Sequence, residues 1–203
     1  MTTNIKDIAV PMPIITERLI LRAVSPEDAQ ALFEAKEESH EELHRWMPWA
    51  HERETLEKTR NIMAESAEEF VERKDLMILA FAKDSGRFIA GTGLHRMDWD
   101  LRVFEIGYWV RTSETGKGYA SEITNALTRY AFHALASTKV KIAHAGGNES
   151  SRRIIEKLGF EKEGVLKRER RLPNGTVYDI HWYARFDDKN LPPLDVQWNG
   201  RMQ

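Results

Sequence analysis

The chain has 203 residues, 41% of them hydrophobic and 31% charged, with a formal net charge of −2 and no cysteine. That length and apolar content suit one domain with its own core. The lack of cysteine excludes disulfides, thiolate metal sites and a cysteine acyl-enzyme, and the near-zero charge gives no general attraction to nucleic acid or an anionic membrane.

No apolar run reaches spanning length, and the start MTTNIKDIAV is too polar for a secretion signal, so the expected compartment is the cytoplasm. Residues 1–13 read as a loose leader, and Ile14 to Arg22 (IITERLILR) as one strand. Ser25-Pro26-Glu27-Asp28 is a helix start: Ser25 caps, Pro26 takes the first helical position, and two acids fill the first turn. A short helical piece is expected at Glu41 to Arg45. Trp46-Met47-Pro48-Trp49 then forms a rigid aromatic corner, suited either to plugging the core or to walling a pocket.

Glu54 to Lys74 reads as a long charged helix with Leu56, Met63, Ala67, Phe70 and Val71 on one face. Leu76 to Lys83 and Arg87 to His95 form a hairpin around Asp84-Ser85-Gly86. From Phe104 the apolar period is that of a strand, through Ile106, Tyr108 and Val110. Thr112 to Gly118 carries no apolar residue and two glycines, so it is a loop, and Ala120, Ile123, Leu127, Tyr130 and Ala134 then repeat at helical spacing. Lys139 to Ala145 is a further strand, Ser150 to Leu158 a short helix stopped by Gly159, and Phe160 to Leu172 and Val177 to Phe186 a hairpin around Pro173-Asn174-Gly175. Residues 187–203 form a C-terminal tail, either disordered or draped over the surface. The element order predicts one mixed α/β domain over residues 14–186.

The loop at 112–118 is the most informative stretch. A helix that begins after it presents free amides and a positive dipole end. Gly116 and Gly118 let a bulky anion approach the backbone, and Lys117 adds charge. The alternatives are a pyrophosphate cradle and a plain strand-to-helix turn. A Walker loop is excluded because Gly118 follows Lys117 where Ser or Thr must stand. The dinucleotide pattern fails because Ser121 replaces its third glycine.

Four runs occur in register: TERLILR with SPEDA, EIGYWV, TGKGYASE and NESSRRIIEKLGF. Together they resemble the GNAT superfamily of acetyl-CoA-dependent N-acetyltransferases, and within it the Rim-type branch that acetylates ribosomal-protein N-termini and includes many small-amine acetyltransferases. The resemblance covers about residues 14–186. It implies a mostly antiparallel central sheet with a splayed strand pair and helices on both faces. It implies that acetyl-CoA is the donor and that no metal is needed. The family loop runs Gln/Arg-x-x-Gly-x-Gly/Ala, and here Thr115 stands at its first position. By the resemblance the pyrophosphate meets Gly116, Lys117, Gly118, Tyr119, Ala120 and Ser121, the pantetheine arm runs along Tyr108, Trp109, Val110 and Arg111, and Asn148 also binds that arm.

The implied chemistry is attack of an amine on a thioester, directly in a ternary complex. An amine at neutral pH must first lose a proton, and the leaving thiolate needs one. Glu105 is the candidate base, acting through a water, with burial expected to raise its pKa. His95 and His181 are alternatives. Ser151 is the candidate acid, because the family's Asn-x-x-Ser motif places a hydroxyl near the coenzyme sulfur, although Asn148 and Ser151 are also plain helix-capping residues. Gly107 leaves room near the acetyl group. Trp46, Trp49, Trp182 and His95 are the candidate acceptor-binding residues, with Trp99 a further aromatic. The acceptor is a protein N-terminal amine or a small amine, and the resemblance allows a homodimer. A competing reading keeps the cradle without the chemistry: a non-catalytic acyl-CoA-binding or regulatory module. No histidine pair shows metal-ligand spacing. The basic run Lys167 to Arg171 divides between two strand faces and lacks the interleaved aromatics of an RNA-binding surface.

Overall fold

Ile14 to Arg22, expected as one strand, folds back on itself. In the computed structural model, which describes residues 5–198 and 201–202, it forms β1 (Ile14–Ile15) and β2 (Leu19–Ala23), paired antiparallel with Ile14 opposite Leu21. Thr16 closes the turn. Its hydroxyl accepts from the Leu19 amide at 3.0 Å, and its own amide donates to the Leu19 carbonyl. The first four leader residues and tail residues 199, 200 and 203 lie outside the described residues.

A single turn at Pro26–Asp28, with the Ser25 hydroxyl accepting from the Glu27 amide, leads into α1 (Ala29–Glu38) and then α2 (His40–Trp46). Thr55 caps α3 (Leu56–Glu72) by accepting from the Lys58 amide at 3.1 Å. The chain continues through β3 (Leu76–Ala82), β4 (Phe88–Asp98), β5 (Val103–Val110), α4 (Tyr119–Ala134), β6 (Lys139–Ala145), α5 (Glu149–Lys157), β7 (Glu161–Arg171), β8 (Val177–Arg185), β9 (Gln197–Trp198) and β10 (Arg201–Met202).

The described strands form one sheet in the order β10-β9-β1-β2-β3-β4-β5-β6-β8-β7. Every neighbouring pair is antiparallel except β5 and β6, which run parallel because α4 carries the chain across between them. Strand alternation divides the core between the two faces. Phe104 and Ile106 pack with Ile123, Leu127 and Tyr130 of α4 and Ile155 of α5. On the other face Leu79, Phe81 and Phe88 pack with Ala29, Leu32 and Ala35 of α1 and Met63 of α3. Burying each large aliphatic side chain of this kind contributes roughly 1.5–3 kcal/mol. The architecture is the mixed α/β fold that the element order predicts, with the mostly antiparallel sheet and helices on both faces that the resemblance implies.

The described part of the tail is packed. Trp198 stands opposite Ile14 in the sheet and sets its ring edge-on to Tyr130 at 5.4 Å, while Leu191 and Val196 are buried. Among the described residues, no helix is long and apolar enough to cross a membrane.

Candidate active site

The glycine loop turns through two left-handed residues onto the start of α4. Gly116 (φ 76°) and Gly118 (φ 84°) are both left-handed, a conformation that side chains with a Cβ rarely adopt. Space around Gly116 is open, and Gly118 has only Arg18 nearby. Gly118 is the N-cap of α4 without a side-chain cap, and the first intrahelical bond runs from the Glu122 amide to its carbonyl at 3.1 Å. Among the described residues the amides at the start of the helix have no side-chain cap, and the dipole lies behind them. Lys117 is tied to buried Glu114 at 2.8 Å, and Arg87 reaches the same carboxylate at 3.1 Å. The backbone, more than the lysine, thus supplies the positive potential. Thr115 turns its hydroxyl onto the Thr112 carbonyl at 2.8 Å, bracing the loop from within.

Next to this loop the sheet opens. β5 and β6 pair over only three residues each, Val103↔Lys139 to Glu105↔Lys141. Beyond that rung β5 stays paired to β4 through Val110, and β6 stays paired to β8 through Ala145. Among the described residues, the facing edges of residues 106–110 and 142–145 hold no strand partner. Backbone polar groups on such edges need partners, and an extended amide-bearing ligand supplies them. Tyr108, Trp109 and Val110 lie on this edge, half-buried in mid-sheet. Arg111 ends it, its amide donating to the Ile89 carbonyl and its guanidinium to Glu38 at 2.6 Å.

The wedge is crossed by a hydrogen bond. The Tyr108 phenol and the Ser151 hydroxyl are 3.0 Å apart, joining β5 to the first turn of α5. Burial pushes the Tyr108 phenol up to about 12, against a smaller downward pull from Ser151. It therefore keeps its proton at neutral pH. Asn148 is the N-cap of α5: its side-chain oxygen accepts from the Ser151 amide at 3.1 Å. Its amide nitrogen makes no hydrogen bond among the described residues.

Glu105 is buried, but between two cations. Arg96 contacts its Oε1, and Lys141, its register partner on β6, stands 3.5 Å from Oε2. Arg96 reaches it because β4 bulges between His95 and Asp98, with Arg96 at φ 44°. Both oxygens thus face cations in the protein. Directly opposite Glu105 on β4 is His95, whose Nδ1 lies 2.8 Å from Asp75. The space at Gly107, expected to be free for the acetyl group, holds that ring: a Cβ added there would lie 2.9 Å from His95 Cδ2.

The aromatic candidates divide. Trp46 ends α2 and packs on Tyr178 at 6.0 Å between centroids, its ring 3.9 Å from where a Gly147 Cβ would be. It therefore spans from α2 to the β6–α5 loop. Trp182 is the register partner of Ala143, with Lys141 5.1 Å from its ring. Trp49 is 46% exposed, beside Trp109 at 6.4 Å and under Lys36. Trp99 lies elsewhere, edge-on to core Phe104 and donating to the Arg73 carbonyl at 2.8 Å. His181 stacks on buried His144 at 4.9 Å, and burial first, then His144, lowers its pKa. The basic run lies on β7 at the sheet's edge, where Asp179 holds Lys167 and the Arg168 amide, each at 2.8 Å.

Sequence reasoning missed two residues. Arg18 grips the loop from 99 residues away: it donates to the Lys117 carbonyl at 3.0 Å, lies 4.5 Å over the Tyr119 ring, and pairs with buried Glu122 of α4. Asp75 is the other, an acid just before a strand with no local sign of its partner.

The chain matches the family model described as "Acetyltransferase (GNAT) domain" over residues 18–161. It is similar to the uncharacterized N-acetyltransferase YoaA of Bacillus subtilis (strain 168), 32% identical over 85% of this chain and 96% of that one. It is also similar to the putative ribosomal N-acetyltransferase YdaF of the same strain, 29% identical over 92% and 96% of the two chains. Among solved structures, the ribosomal L7/L12 alpha-N-protein acetyltransferase RimL in complex with coenzyme A shares the fold, with a TM-score of 0.79 and 24% identity over 87% of this chain and 98% of that one.

Proposed function

The chain belongs to the acetyltransferase (GNAT) family, and from that premise we propose that it moves the acetyl group of acetyl-CoA onto a primary amine by direct attack in a ternary complex. The observation that carries this reading is the opening between β5 and β6 beside a helix N-terminus with no side-chain cap among the described residues. A diphosphate fits the amides of residues 116–121, and an extended arm fits the unpaired edge at Tyr108 to Val110. Acetyl-CoA supplies an activated acyl group on a sulfur that leaves readily.

The chain's own groups then have distinct tasks. Asn148 offers its free side-chain amide to the arm. Ser151, hydrogen-bonded to the high-pKa Tyr108, delivers a proton to the departing sulfur. The rung of Glu105 and His95 lies on the opposite face from Tyr108 and supplies the proton acceptor. Trp46, Trp49 and Trp182 offer apolar surface to the acceptor. The acceptor is a protein N-terminal amine or a small amine; similarity to a relative named for ribosomal acetylation favours the former. Residues 14–186 hold all the groups of this proposed site, and the described tail packs onto the same sheet.

The test is thiol release from acetyl-CoA with a panel of free-amine peptides and simple primary amines, the products read by mass spectrometry. A single acetyl group added to one or more amines is expected. Coenzyme A binding with no transfer to any amine would instead favour an acyl-CoA-binding module.

A further inference from the structure

Resting on the reading just given, we infer that His95, oriented by Asp75, is the group that takes the proton from the acceptor amine. Three observations carry this. Asp75 holds Nδ1 through both oxygens, at 2.8 and 3.0 Å, which assigns the ring proton to Nδ1 and leaves the Nε2 lone pair free. Nε2 makes no hydrogen bond among the described residues, and the pair is only partly covered, with 27% and 29% of the two side chains exposed. The third is a pair of glycines facing each other on β4 and β5. A Cβ at Gly93 would lie 2.7 Å from the ring, and one at Gly107 would lie 2.9 Å from it. The ring is therefore laid over the rung where β5 begins to part from β6.

Glu105 is a poorer acceptor on the same rung. Arg96 contacts its Oε1, and its Oε2, without a hydrogen-bond partner among the described residues, is buried with Lys141 3.5 Å away, whereas the imidazole is partly exposed and carries its vacant lone pair on the open side of its Asp75 contact. The charged groups around His95 are Asp75, from the turn before β3, and Glu105 on β5 with those two cations. An imidazole oriented by a carboxylate is the arrangement that general-base catalysis uses to fix tautomer and direction.

The step balances as follows. The neutral amine forms the C–N bond with its lone pair. Its excess N–H proton passes to Nε2. The C–S bond breaks, and the thiolate takes a proton from Ser151, which Tyr108 resupplies. Solvent replaces the Tyr108 proton within the same relay, so no phenolate stands, and the imidazolium returns its proton to solvent. Asp75 touches neither substrate and acts as a positioning residue.

The test uses the full chain, acetyl-CoA and the panel of N-terminal-serine peptides, N-terminal-alanine peptides and benzylamine. His95→Gln and His95→Ala should lower kcat by about 10²–10⁴-fold, abolish the rising limb of the pH–rate profile, and leave KM for acetyl-CoA within about twofold. Added imidazole should restore part of the rate of His95→Ala. Asp75→Asn should lower kcat less and change the pH profile, which lost packing alone would not do. A wild-type rate and profile in His95→Gln, or loss of the limb in Glu105→Gln alone, overturns the dyad while acetyl transfer stands. A wild-type protein that binds coenzyme A but acetylates nothing in the panel overturns the functional reading, and the dyad with it. If the His95 variants fail to fold, an unchanged profile in folded Asp75→Asn counts against the dyad.

Discussion

The phenol of Tyr108 and the hydroxyl of Ser151 stand 3.0 Å apart, 43 residues apart in the chain, on opposite sides of the opening in the sheet. This contact joins β5 to α5 where β5 and β6 no longer pair. If the two act as one proton relay, their removal should not be additive. Ser151→Ala should lower kcat by about 10–100-fold with little change in KM for acetyl-CoA, and Tyr108→Phe by a similar factor. The double variant should cost scarcely more than either single one, which a double-mutant cycle on kcat measures.

Asn148 has two separable jobs. Its oxygen caps α5 and its nitrogen is free. Asn148→Asp keeps the cap and removes the donor, so it should weaken coenzyme A binding without loss of stability. Asn148→Ala loses both and should also cost about 1 kcal/mol in urea unfolding. Calorimetric titration alongside denaturation distinguishes the two effects.

The cradle can be tested against an internal control. Gly118 (φ 84°) and Gly175 (φ 80°) share a left-handed conformation, but Gly175 lies in the β7–β8 turn. A valine at either should cost roughly 1–2 kcal/mol of stability. Only Gly118→Val should abolish coenzyme A binding. Equal affinity in both variants would remove the loop from the binding site.

Glu38 gives a pH signature. Hydrogen bonds from Ser113 first, then Arg111, bring its carboxyl down to about 2 from an ordinary 4.5, joining the end of α1 to the loop before the cradle. A lowered folded-state pKa means stability that is present above the unfolded value and lost as pH falls through the folded one. The gap between wild type and Glu38→Gln should thus be about 1 kcal/mol at neutral pH. It should shrink as pH drops below about 4.5 and vanish near 2, as thermal unfolding across that range would reveal.

Much of the fold, and the local pieces from which the candidate site is assembled, can be read along the chain. The strand to Val110, the loop with Gly116 and Gly118, and the helix from Tyr119 each carry their own period or breaker, and Asn148 and Ser151 lie within one helical turn. What stays hidden depends on distant partners. Glu105 meets Arg96 through a bulge and Lys141 through a parallel neighbour 36 positions on. His95 finds Asp75 only once the β3–β4 hairpin has closed. Ile14 to Arg22 has the composition of a single strand, and its turn at Thr16 is fixed partly by Glu122, 106 residues away. Periodicity reports which face a residue takes, not which charge waits there.

The central claim is that the start of α4 and the parted strands form one binding site for acetyl-CoA. The most direct measurement is a crystal structure with coenzyme A bound. The account predicts the diphosphate on the amides of residues 116–121, the arm along Tyr108 to Val110 between β5 and β6, and the sulfur near Ser151. Phosphates bound away from that helix start, or an arm lying outside the parted strands, would contradict it.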